Sequence, residues 1–87
     1  MTFERFDIVQ LVKGVLQSCD ILIQQKDVKV NCVMDESVHV WADEFKTEQV
    51  IRNYISNALN HVSGENIIEI RVEEKEQTVR VSVFNTG

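Results

Sequence analysis

The side chains best suited to chemistry lie between positions 46 and 61. Asn53, Asn57 and Asn60 follow one another at intervals of four and three residues, the spacing that stacks side chains on one face of a helix. With Asn53 as origin, Asn57, Asn60, Gln49 and Lys46 all fall within about 40° on either side. An ordinary solvated face carries Glu, Lys, Arg and Gln, which are good helix formers. Asparagine is a poor one, because its side chain competes for backbone hydrogen bonds. A carboxamide offers a short-armed, neutral oxygen acceptor and an amide donor. Such an oxygen is a fair ligand for a hard cation such as Mg²⁺, which is often shared with substrate phosphates. A row of asparagines beside Lys46 and His61 therefore suits a magnesium-bound nucleotide. The plainer alternative is a solvated face of ordinary polar residues, and spacing alone leaves both readings open.

A helix must carry this stripe. The pattern predicts one from about Glu44 to Val62, with Asp43 as N-cap and Thr47, Ile51, Tyr54, Ile55, Ala58 and Val62 facing the core. An earlier helix is predicted to open at Asp7 and end near Gln25. Gln10 would complete a capping box, and Phe6 and Leu11 a hydrophobic staple. Ile8, Leu11, Val12, Val15, Leu16, Cys19, Leu22 and Ile23 form its apolar stripe, across an arc of about 140°. Between the helices, Val28, Val30, Cys32 and Met34 alternate with polar positions, as do Val38, Val40 and Ala42. These two runs are expected to be strands, joined as a hairpin through Asp35-Glu36-Ser37. After the break at Ser63-Gly64-Glu65, Ile68, Ile70 and Val72 and then Val79, Val81 and Val83 read as two more strands, with a polar turn over 74–77. The predicted order is α-β-β-α-β-β: an α+β two-layer sandwich, with both helices on one face of a mixed or antiparallel sheet.

Composition narrows the function. The 87 residues make about one small domain. Nine Lys and Arg against fourteen Asp and Glu give a net charge of −5, which argues against a nucleic-acid partner. No apolar run approaches the roughly 20 residues that span a bilayer, and no secretion leader is visible. Cys19 and Cys32 lie in no metal-binding motif and point to a reducing cytosol. They read as small buried hydrophobes, with a disulfide between them left open. His39 and His61 share no ligand spacing with them, so a zinc site is set aside. The chain has three glycines, Gly14, Gly64 and Gly87, and no clustered phosphate loop.

The stretch Gln49-Val-Ile-Arg-Asn53-Tyr-Ile-Ser-Asn57-Ala58-Leu-Asn60-His61 resembles the N box of bacterial sensor histidine kinases, which has two asparagines four residues apart, the second followed by alanine. The final Val83-Phe84-Asn85-Thr86-Gly87 resembles the start of the G1 box of the same ATP-binding (Bergerat-fold) domain. Trp41-Ala42-Asp43 before the helix and the helix beginning at Phe6 also fit, so the resemblance covers nearly the whole chain in order.

The resemblance implies a nucleotide site for ATP and Mg²⁺ built from Asn53, Asn57, Asn60, His61, Asn85 and Gly87. Asn57 would be the metal ligand, and no residue of the chain would be catalytic. In hydrolysing relatives the position of Asn53 is typically a Glu that activates water; an Asn there cannot act as a base. Asn60 falls where many members carry a Lys, and brings no charge to the phosphates. His61 falls where an aromatic or His often lies beside the nucleotide. Asn85 stands where the family usually has an Asp that pairs with the adenine amino group, and its carboxamide oxygen can accept the same bond. Gly87 would let the backbone pass close to the base. The implied parent is a cytoplasmic domain of a membrane-bound sensor kinase. It would act with a dimerisation and phosphoacceptor domain and a response regulator. Residues 1–87 are expected to be a partial domain, lacking the lid, the G2 box and the final strand. The isolated piece is expected to be inactive. The alternative is a non-catalytic module that self-associates through an exposed sheet edge.

Overall fold

The computed structural model describes residues 3–76 and 78–86. The elements are β1 (Glu4–Asp7), α1 (Ile8–Ser18), α2 (Asp20–Gln25), β2 (Lys29–Val33), β3 (His39–Ala42), α3 (Glu44–His61), β4 (Ile67–Lys75) and β5 (Thr78–Asn85). The class is α+β, as expected, but with two sheets and three helical segments. β1 and β3 form an antiparallel ribbon. β2, β4 and β5 form a mixed sheet in that order, β2 and β4 parallel and β4 and β5 antiparallel.

The expected hairpin between the second and third strands does not form. The turn over 35–37 is Asp-Glu-Ser and lacks the Asn-Gly or Asp-Gly pair that favours a tight hairpin. The chain instead leaves β2 and delivers Val38, 3% exposed, into the core. Val38 is then fixed from both sides: its carbonyl accepts from the Ile8 amide at 2.9 Å, and its amide donates to Asp7 Oδ1 at 3.2 Å. β3 is thereby aligned with β1, a strand absent from the sequence-based expectation. The parallel partner of β2 arrives only after a long crossover through β3 and α3, as parallel pairing requires.

The first helix is broken rather than continuous. Asp7 caps α1 as predicted, accepting from the Val9 amide at 2.9 Å, though the Gln10 side chain returns no bond among the described residues. At the other end the Ser18 hydroxyl donates to the Val15 carbonyl at 2.7 Å, and the Cys19 amide is shared between Val15 and Leu16. A hydroxyl that competes for a helical carbonyl tightens and ends the turn. After the break, Ile21 and Leu22 turn outward, 73% and 38% exposed.

One core joins the layers. It takes Ile8, Val9, Val12 and Val15 from α1, Ile51, Ile55, Ala58 and Leu59 from α3, and Ile68, Ile70 and Val72 from β4, with Phe6 and Val38. Fully burying one of these Val, Ile, Leu or Phe side chains contributes about 1.5–3 kcal/mol. Tyr54, expected inside, is 51% exposed, whereas Leu59 is 1% exposed. The buried face of α3 is rotated toward Leu59, which leaves Tyr54 on its margin. Cys19 is partly buried, but Cys32 is exposed, because it sits on β2 at the open edge of its sheet.

Candidate functional site

The asparagine stripe is set by the two ends and the buried face of α3. Asp43 Oδ1 accepts from the Lys46 amide at 3.2 Å and caps the first turn. Arg52 Nη1 donates to Ser18 Oγ at 3.0 Å, which ties the helix to the end of α1. With Ile51, Ile55, Ala58 and Leu59 inward, the opposite face must point to solvent. Asn53, Asn57, Asn60, His61, Lys46 and Gln49 are all exposed there. Among the described residues, α3 makes its side-chain hydrogen bonds through Thr47 and Arg52, and none through the three asparagines. Their carboxamides neither cap nor brace the fold. From Asn53 to His61 the stripe runs about 12 Å along the helix.

The second part of the expected site is the end of β5. Asn85 lies opposite Ile68 in the β4–β5 ladder. Paired residues share a sheet face, so Asn85 is on the side that also carries the buried Ile68. Its Nδ2 donates to the Thr86 carbonyl at 3.3 Å. The structure brings this strand end to the C-terminal end of α3 through Thr86. The Ser63 amide donates to the Thr86 carbonyl at 2.9 Å, and the Thr86 hydroxyl donates to the Ser63 carbonyl at 2.8 Å. Ser63 lies two residues beyond His61, the last residue of α3. Asn60, His61 and Asn85 therefore gather at one end of the molecule, with Asn57 and Asn53 about one and two turns back. Gly87, the remaining expected site residue, lies outside the described residues.

Thr86 is the member that the sequence did not single out. Its partners, Ser63 and Ile67, are brought near only by the fold, so no spacing rule flags it.

The donor set is one of neutral oxygens. No group of three or more His, Cys, Asp or Glu among the described residues could hold a metal ion. Mg²⁺ would need phosphate and water oxygens beside an asparagine, and exposed carboxamides without partners among the described residues fit that sharing. A cleft of about 490 Å³ lies elsewhere, between β3, the start of α3 and the tip of the β4–β5 hairpin. Its lining includes His39, Trp41, Thr47 and Glu74 and none of the expected site residues.

Ionisable groups with shifted titration also lie away from the stripe. Burial raises the Asp7 carboxyl, but the amides of Val38, Val9 and Gln10 and the nearby His39 outweigh it and hold the group below its ordinary value. Burial raises the Cys32 thiol, with Lys13 opposing, so its thiolate is scarcer than usual.

No family model matches the chain, and no curated protein does. Solved structures do match it. The nucleotide-free catalytic domain of the histidine kinase ThkA superposes with a TM-score of 0.87 at 30% identity, over 95% of this chain and 57% of that one. ThkA in complex with the response regulator TrrA superposes at 0.85 and 28% identity, over 93% of this chain and 25% of that one. The Acinetobacter baumannii histidine kinase AdeS, at 0.84 and 24% identity over 95% and 41%, shares the fold. The chain thus spans little more than half the length of the ThkA catalytic domain. Over nearly all of its own length it has the fold of the catalytic, ATP-binding domains of bacterial histidine kinases, as the resemblance of its N box and G1 box implied.

Proposed function

We propose that residues 1–87 are the first part of the ATP-binding domain of a two-component sensor histidine kinase. Its task would be to hold Mg-ATP for phosphoryl transfer to a histidine on a dimerisation domain, and onward to a response regulator. The observation that carries this reading is an exposed asparagine stripe, with no hydrogen-bond partners among the described residues, that runs toward the end of a kinase-like fold where Asn85 lies. In that role the Asn57 oxygen is the metal ligand, with Asn53 beside it. A bound Mg²⁺ would supply charge neutralisation to the phosphates. Asn53 has no basic group with which to activate water, which protects ATP from hydrolysis. The Asn85 oxygen accepts from the adenine amino group, His61 lies alongside the nucleotide, and Asn60 makes a neutral contact. Gly87 would pass close to the base. The domain positions substrate and contributes no acid, base or nucleophile of its own.

The expected setting is the cytoplasmic part of a membrane-bound kinase. Among the described residues no helix is long and apolar enough to cross a membrane. The ThkA–TrrA complex is the precedent for a response-regulator partner. Calorimetric titration with Mg-ATP tests the reading. Asn57→Ala should weaken binding and remove its Mg²⁺ dependence, and Asn85→Ala should weaken it for adenine nucleotides alone. Unchanged affinity in both variants would sink the assignment.

A second reading, a non-catalytic self-associating module, draws on the open edges of β2 and β5, where Val33 and Phe84 are 47% and 58% exposed. A size-exclusion profile that shifts to an oligomer, together with blindness to nucleotide, would favour it.

A further inference from the structure

Resting on that nucleotide reading, we infer that Thr86 is a positioning residue that sets Asn85 against the C-terminal end of the asparagine stripe. The β4–β5 ladder reaches its last pair at Ile68 and Asn85. The last pair of an outer strand is prone to fraying, because it is held from one side only. Thr86 prevents this with both its backbone and its side chain. Its amide donates to the Ile67 carbonyl at 3.0 Å and its carbonyl accepts from Ser63. Its hydroxyl accepts from the Ile67 amide at 3.0 Å and donates to the Ser63 carbonyl at 2.8 Å. One half-buried hydroxyl thus joins the end of β5, the start of β4 and the loop leaving α3.

That loop is anchored from its other side. The Lys29 amide donates to the Asn66 carbonyl at 2.8 Å, and Asn66 Nδ2 donates to the Lys26 carbonyl at 3.2 Å. Gly64 and Asn66 adopt positive φ to make the turn. The hydroxyl therefore fastens Asn85 to a fixed reference, two residues past His61. A valine of the same shape would keep the backbone bonds and lose both hydroxyl bonds. A serine would keep them.

The test compares Thr86→Val and Thr86→Ser with the parent 87-residue chain. Affinity is measured for Mg-ATP and, as a probe lacking adenine, Mg-tripolyphosphate. The parent should prefer Mg-ATP. Thr86→Val should lose about tenfold in Mg-ATP affinity, with little change for tripolyphosphate, and Thr86→Ser should keep the preference. Amide exchange at Ile67 should speed up in the valine variant alone. Equal losses for both ligands, or an unchanged preference in Thr86→Val, would overturn the role of Thr86. If the valine variant does not fold, loss of the preference in a folded Thr86→Ser would overturn it instead. A parent chain with no preference for Mg-ATP would overturn the nucleotide reading itself, and this inference with it.

Discussion

Replacing Asn53, Asn57 and Asn60 together by alanine should stabilise the fold while it removes the site. All three are exposed on α3, and among the described residues none of their side chains makes a hydrogen bond, so alanine takes nothing from the native packing. What changes is helix propensity. In a helix interior, Asn to Ala gains about 0.7 kcal/mol, which applies in full to Asn53 and Asn57. Asn60 lies in the last turn, one residue before the end, and adds a few tenths. Propensity is a per-residue backbone property, so the three gains sum to about 1.5–2 kcal/mol. For a chain of this size that is roughly a 10 °C rise in Tm. Urea unfolding followed by circular dichroism at the helix band would read it as a higher midpoint at unchanged slope. The same protein should lose its response to Mg-ATP. An unchanged or lowered midpoint would refute the reasoning, because it would mean that the asparagines support the fold rather than a ligand.

Further expectations follow from the core, the loop and the first cap. Leu59→Ala empties a site that is 1% exposed and should cost about 3 kcal/mol, a large share of the roughly 4–13 kcal/mol available to 87 residues; urea midpoints check it. Gly64 has φ of 68° and nothing within 4 Å of an added Cβ, so Gly64→Ala should cost about 1 kcal/mol from backbone strain alone, read as a lower Tm. The Asp7 carboxyl is held below its ordinary value of 3.8. Its ionised form therefore stabilises the fold fully above about that pH, and the contribution disappears as pH falls through the lower native value. The stability gap between the parent and Asp7→Asn should be constant near neutrality and close in acid. A gap that widens in acid would contradict the hydrogen-bonding pattern around Asp7.

What the sequence revealed depended on how local the determining interactions are. α3 was legible because its cap, Asp43, and its apolar period lie within the segment itself, and its end at His61 falls within a residue of expectation. β4 and β5 were legible because alternation and a polar turn suffice for a hairpin. β1 was hidden: Glu4-Arg5-Phe6-Asp7 carries a single apolar residue, and its partner β3 lies more than thirty residues away. The parallel pairing of β2 with β4 is hidden for the same reason, since the two strands lie more than thirty residues apart. The break after Ser18 coincides with its hydroxyl bonding the Val15 carbonyl and a shared Cys19 amide, which apolar spacing does not record. The asparagine stripe could be read from its residue types, because those residues oppose helix formation. Thr86 could not, since its bonds reach Ser63 and Ile67 across the fold.

In the proposed function the asparagine face of α3 and the end of β5 together receive Mg-ATP. Two-dimensional amide NMR of the 87-residue chain, titrated with Mg-ATP and then with ATP in the presence of a chelator, tests it most directly. The predicted result is a set of shifts confined to the amides and carboxamides of residues 53–61 and 84–86, diminished when Mg²⁺ is removed. Shifts centred on the cleft around His39, Trp41 and Glu74, or no shifts at millimolar nucleotide, would contradict it.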